Sequence, residues 1–131
     1  MESLLLFLLS LGCLILLLKW RTNKAQNELE GKAAPESIRT EPQHPDGVLY
    51  YFYHPSCGPC KQMGSIVDQL KQKYPDRVEK LNVADCQELT QTIGIKVTPT
   101  TIFIKNNIIT KAIIGSNSGK TLITLLESNN P

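Results

Sequence analysis

An α/β fold is predicted, with elements in the order β-α-β-α-β-β-α and a mixed sheet flanked by helices, all behind one N-terminal transmembrane helix. Three observations carry it. Residues 4–18 hold 15 uncharged positions, 13 of them apolar. Residues 48–53 form a continuous apolar and aromatic run of strand length, and a helical stripe comes directly after it in Cys60, Met63, Val67, Leu70 and Tyr74. Two β-branched runs, 101–105 and 108–114, are separated by Asn106 and Asn107, a pair suited to a two-residue hairpin turn.

Composition narrows the function. The chain has 131 residues, and the part beyond the apolar run has room for one domain, which excludes a multidomain enzyme. Fourteen Lys and Arg stand against twelve Asp and Glu. No basic stripe with interleaved aromatics occurs, so nucleic acid is not an expected partner. The four cysteines, Cys13, Cys57, Cys60 and Cys86, are too few and too unevenly spaced for a secreted disulfide scaffold.

The apolar run is expected to be a retained anchor over residues 3–20, succeeded by a flexible linker over 21–46 and a domain over 47–131. A cleaved signal peptide needs a positive start and a small-x-small site, whereas this chain begins Met1-Glu2-Ser3 and has Lys19-Trp20-Arg21 after the run. Lys19, Arg21 and Lys24 after the run place the C-terminal domain on the cytosolic side by the positive-inside rule. The linker assignment rests on balanced charges, on Pro35, Pro42 and Pro45, and on the lack of a sustained apolar period; residues 23–30 are expected to be briefly helical. A flexible linker of that length would give the domain a reach of about 30 Å.

Within the domain, Pro75 ends the first helix and residues 78–83 form a second strand. Asp85 and Glu88 suggest a capping box for a short helix that Gly94 terminates. A last helix over about 118–128 is expected to bury Leu122, Leu125 and Leu126.

With Cys57-Gly58-Pro59-Cys60 at the start of the first domain helix, and Thr98-Pro99-Thr100 just before the hairpin, this pattern resembles the thioredoxin family over about residues 46–129. The space before Val48 does not accommodate the family's additional N-terminal strand and helix, so a minimal version of the fold is expected. The resemblance implies a thiol-disulfide oxidoreductase, most simply one that reduces protein disulfides, with its own Cys57–Cys60 disulfide as the redox centre and no separate cofactor or metal. Its partners would be disulfide-bearing proteins and an external electron donor, and the chain would act as a monomer.

The chemistry suits these positions. A thiolate is the attacking species, and a helix N-terminus stabilises it with free N–H groups and a partial positive charge. Cys57 occupies that end as nucleophile. Cys60 lies one turn on and faces inward as the resolving thiol, while Gly58 and Pro59 set the first turn. The resemblance further implies that Pro99 is cis and packs beside the pair, that the Thr98 backbone holds an extended substrate segment, and that Gly115 lies on the rim of that groove.

Departures from the family pattern are informative. Ser56 stands where Trp is usual, Ser65 replaces a helix-kinking proline, and Tyr51 replaces a buried Asp, so that Lys80 is expected to lack its usual partner. Tyr51, Lys80 and His54, the last three residues before Cys57, are the candidate modulators. A zinc site from His54, Cys57, Cys60 and Cys86 lacks a second closely spaced ligand pair. Cys86 suits a half-buried structural role better than a regulatory one. The run Gly115 to Thr121 falls one residue short of a phosphate loop. Two other functions fit the same motifs: an oxidase or isomerase on the extracytoplasmic side, and a non-catalytic adaptor that binds an extended segment.

Overall fold

Alternate residues of the strand at 48–53 are buried on opposite faces, and the rest of the domain is arranged around it. The computed structural model describes residues 1–38 and 44–128. The elements are α1 (Glu2–Leu29), β1 (Val48–Tyr53), α2 (Gly58–Lys73), β2 (Val78–Asn82), α3 (Gln87–Ile93), β3 (Thr100–Lys105), β4 (Ile108–Ile114) and α4 (Gly119–Glu127). The sheet order is β2-β1-β3-β4, with β1 parallel to β2 and antiparallel to β3, and β3 antiparallel to β4. The expected element order and mixed sheet are therefore observed.

Val48, Tyr50 and Phe52 join one core layer with Ile93, Ile102, Ile104 and Ile109, while Leu49 and Tyr51 join the other with Met63, Val67, Leu70, Leu122 and Leu126. This two-sided burial is why β1 is apolar throughout rather than alternating. The stripe of α2 is buried from Cys60 to Leu70. In α4, Leu122 and Leu126 are buried whereas Leu125 is half-buried, and Ser118 caps the helix by accepting from the Thr121 amide. Asn106 and Asn107 both take positive φ, 53° and 60°, the turn that matches the twist of a tight hairpin.

One local expectation is corrected. Asp85 does not cap α3: Cys86 is the N-cap without a side-chain bond, and the Asp85 carboxylate instead accepts from Asn82 Nδ2 at 3.0 Å. Asn82 Oδ1 accepts from the Ala84 amide, so an asparagine turn organises this corner. Gly94 does terminate α3, in the left-handed conformation at φ 95°.

The larger correction concerns residues 21–38, expected to be a flexible linker. The helix that begins at Glu2 continues unbroken to Leu29, which includes the short helix anticipated at 23–30. Leu29, Ala34 and Ile38 are buried in the β1–β3–β4 core layer. The backbone after α1 runs along β4: Gly31 N donates to Ile109 O at 2.8 Å, Ile109 N to Lys32 O at 2.9 Å, and Ala34 N to Asn107 O at 2.7 Å. Glu30 Oε1 accepts from the Ala112 amide at 3.0 Å and pairs with Lys111 at 3.1 Å, and Gln26 Nε2 donates to Ala112 O at 3.2 Å. Spaced apolar residues that each fill one pocket have no helical or strand period, so charge and proline dominated the sequence pattern. The chain before Val48 thus contributes to the domain. The linker positions 39–43 and the domain's last residues, 129–131, lie outside the described residues.

The side chains of residues 4–9 are exposed, and no residue of the apolar window of α1 is buried among the described residues. Leu29→Ala in the full chain in detergent micelles should lower unfolding stability by about 2–5 kcal/mol, the range for a buried Leu truncation. Unfolding by denaturant checks it, since a linker residue would shift stability by less than about 0.5 kcal/mol.

Candidate active site

The register of β1 sets the site. Phe52 pairs with Thr100 in the antiparallel β1–β3 ladder, so the residues after Phe52 and those before Thr100 leave the sheet at the same end. One exit leads to Cys57 and the other comes from Thr98 and Pro99. The turn after β1 is closed by Cys57 N donating to His54 O at 3.0 Å and Ser56 N donating to His54 Nδ1 at 3.1 Å. Cys57 is the N-cap of α2, and its sulfur accepts from the Cys60 amide at 3.2 Å. Pro59 lies in the first turn, where its missing N–H leaves no bond unmade.

Cys57 and Cys60 are joined in a disulfide. Cys57 is half-buried and Cys60 is 3% exposed, so the two sulfurs differ in access as an outer and an inner partner must. The Thr98–Pro99 bond is cis, and Cys57 Sγ lies 3.7 Å from the Thr98 carbonyl oxygen. Gly115, at φ 92°, donates its amide to the Pro99 carbonyl at 2.8 Å. It therefore supports the cis-proline loop with its N–H. Thr100 Oγ1, donating to Val97 O at 2.8 Å, braces the loop from its other side.

Of the candidate modulators, His54 accepts through Nδ1 from the Ser56 amide and so helps to organise its own turn. Tyr51 is buried directly beneath the pair, and its hydroxyl donates to the Cys60 carbonyl at 3.1 Å. Burial, then the Asp68 carboxylate and the Tyr53 ring beside it, push the Tyr51 phenol up to about 12. It cannot serve as a base near neutral pH and instead clamps the helix start.

Lys80 does not lack a partner: its Nζ donates to Asp68 Oδ1 at 3.0 Å and lies 5.0 Å from the centre of the Tyr53 ring. Asp68 escaped the sequence reading because it belongs to α2 rather than β1. No local pattern in the sequence marked it, since the pairing joins residues of α2 and β2 that only the fold brings together. A cavity of about 300 Å3 is lined by Tyr53, Cys60, Gly64, Asp68 and Lys80.

Cys86 stands apart from the pair. Its thiol donates to Asn82 O at 3.1 Å, and burial together with the Asp85 carboxylate, in that order of size, pushes the thiol up, which disfavours a reactive thiolate. Among the described residues no three His, Cys, Asp or Glu side chains group to hold a metal. Accordingly, the arrangement can carry out dithiol–disulfide exchange through an outer sulfur at a helix N-terminus backed by an inner one.

Comparison with known proteins agrees. The family model described as Thioredoxin matches residues 23–128. The M-type thioredoxin of Triticum aestivum chloroplasts is 32% identical over 82 residues, which cover 61% of this chain and 47% of that protein. Thioredoxin 1 of Synechococcus elongatus is 30% identical over 84 residues, 63% of this chain and 78% of the relative. The chain spans about half the length of the plastid relatives it matches. Among solved structures, oxidised mitochondrial thioredoxin 3 from Saccharomyces cerevisiae superimposes with TM-score 0.59 at 28% identity, covering 70% of this chain and 87% of that one.

Tyr51 also sets a dependence on pH. The unfolded chain releases a phenol proton near pH 10, whereas folded Tyr51 holds it to about 12. The stability this supplies is complete below about pH 10 and is lost as pH rises through about 12. Tyr51→Phe should flatten the fall in denaturation midpoint above about pH 10. Some slope should survive, because buried Tyr50 is also raised, by burial and then by Glu79. An unchanged slope would refute the assignment.

Proposed function

The chain belongs to the thioredoxin family, and from that membership we propose that it is a membrane-tethered thiol-disulfide oxidoreductase that reduces protein disulfides through Cys57 and Cys60. The observation that carries the reading is the placement of the Cys57 sulfur at the α2 N-terminus, accepting from the Cys60 amide and facing the Thr98 carbonyl across the cis-proline loop.

In the reduced protein the Cys57 thiolate attacks one sulfur of a substrate disulfide and displaces the other as a thiolate, leaving a mixed disulfide. Cys60 then loses its proton and attacks Cys57 Sγ, and the second substrate sulfur departs. Two electrons pass to the substrate, which takes up two protons and leaves as a dithiol, and the Cys57–Cys60 disulfide closes. An external dithiol reductant resets it. Gly58 and Pro59 hold the first turn, the Thr98 backbone and Pro99 hold an extended substrate segment, and Gly115 fixes the loop that presents them. Tyr51, His54 and Lys80 modulate through position.

The tether is the apolar part of α1, residues 3–20, which has the length and composition to cross a bilayer. Lys19, Arg21 and Lys24 favour a cytosolic domain, the side on which a reductase is supplied with electrons. The protein acts as a monomer, since each step needs one pair of sulfurs.

Equilibrating the full chain in micelles against glutathione buffers should give a reduction potential near that of thioredoxin, about −270 mV; a value nearer about −120 mV would make the protein a disulfide donor and overturn both direction and topology. Cys60→Ser should accumulate a mixed disulfide on non-reducing gels, while Cys57→Ser should lose turnover. A Cys57→Ser chain with undiminished function would instead be an adaptor.

A further inference from the structure

One cavity of about 290 Å3 lies between α1 and the loop that leads to Pro99. Arg21, Glu28 and Leu29 form its helix side, and Lys32, Lys96 and Val97 complete it. A second cavity, of about 330 Å3, is lined by His54 and Thr98 beside the redox pair. Ile95, Lys96 and Val97 line both, so the two cavities adjoin along this segment and frame a groove with Thr98 at one end and Arg21 at the other. Val97 is 52% exposed midway, an apolar contact left open along it.

Charge along the groove is unbalanced. Arg21, Lys32 and Lys96 face it against the single carboxylate of Glu28. Lys32 Nζ gives one hydrogen to Ile93 O at 3.3 Å and has others to offer. The groove is also fixed in height: α1 is continuous from Trp20 to Leu29, and Gln26 and Glu30 bind it to β4. From Arg21 to Leu29 it rises about 12 Å, at 1.5 Å per residue. A headgroup layer is about 5–7 Å deep, so the cavity extends past a lipid headgroup, whereas an extended peptide would fill its length.

We propose that this groove receives an acidic, extended segment immediately outside the membrane span of a second membrane protein, and so selects juxtamembrane disulfides of such proteins as substrates. The inference rests on the oxidoreductase reading above and adds the substrate class. The segment lies along Lys96 and Val97 with its disulfide at Cys57 and its carboxylates against Arg21, Lys32 and Lys96, running toward its own entry into the bilayer. A domain on a flexible linker would reach disulfides at many heights; the rigid continuation of α1 restricts it to those near the surface.

The test uses the full chain, reduced beforehand, in phosphatidylcholine vesicles with single-span peptides carrying a disulfide about ten residues from the span. The intervening residues are acidic in one peptide and basic in its match. The acidic peptide should be reduced about ten-fold faster, within the range of electrostatic steering. The Arg21→Glu/Lys96→Glu variant, and to a lesser extent Lys96→Glu alone, should invert that ratio, which a general folding defect would not do. Equal rates in the wild type, or a ratio unchanged in both variants, would overturn the proposal. Saturable competition by dioctanoyl phosphatidylglycerol against the acidic peptide would place a headgroup in the cavity and also overturn it. A small soluble peptide disulfide separates the two levels: if the wild type fails to reduce it, the oxidoreductase reading falls and the groove with it, and if it is reduced while the charge preference is missing, the groove alone falls.

Discussion

Burial of β1 on both faces is the constraint on which the site depends. A strand covered on each side cannot slip by one residue without carrying Tyr51 and Phe52 into the opposite layers, so its register against β2 and β3 is fixed by packing alone. That register carries over beyond the sheet. Tyr53 ends the strand four residues before Cys57, and Thr100 begins its neighbour two residues after Thr98. The redox pair and the cis-proline loop meet because two strands end together, with the Gly115 amide on the Pro99 carbonyl holding the loop in place.

The electrostatics beneath the pair stem from one substitution of type. A phenol at Tyr51 occupies the buried position without bringing a charge there, and it satisfies itself on the Cys60 carbonyl. Lys80, whose Nζ would be unfavourable beside an apolar core, pairs instead with Asp68 on α2, whose carboxylate side is exposed. The region thus trades a buried ion pair for a buried hydroxyl and a part-exposed ion pair, which avoids the full desolvation of two charges.

Much of this was legible in the residues because it is periodic or local. The two-face burial of β1, the stripe of α2, the Asn106-Asn107 turn and the Cys57–Cys60 spacing each obey a rule of period or backbone conformation. The features that escaped are long-range. Leu29, Ala34 and Ile38 pack by tertiary fit from a segment dominated by charge and proline, so no period marked them. Asp68 is one of several exposed helix carboxylates until the fold brings Lys80 to it. The expected capping box at Asp85 failed because Asn82, three residues earlier, competes for the same carboxylate and turns the corner first.

The backbone of residues 31–34 lying along β4 has a consequence for where this protein can be divided. Without it β4 would be a bare outer strand whose free N–H and C=O groups, with Ile108 and Ile109 alongside, offer a template to another copy. A cut placed after the proline-rich segment, where composition suggests a domain begins, would therefore remove a seal as well as an anchor. The fragment would keep its sulfurs in place and yet be prone to self-association. The same few residues that join the domain to its helix also cover the β4 edge of its sheet against pairing with a second copy.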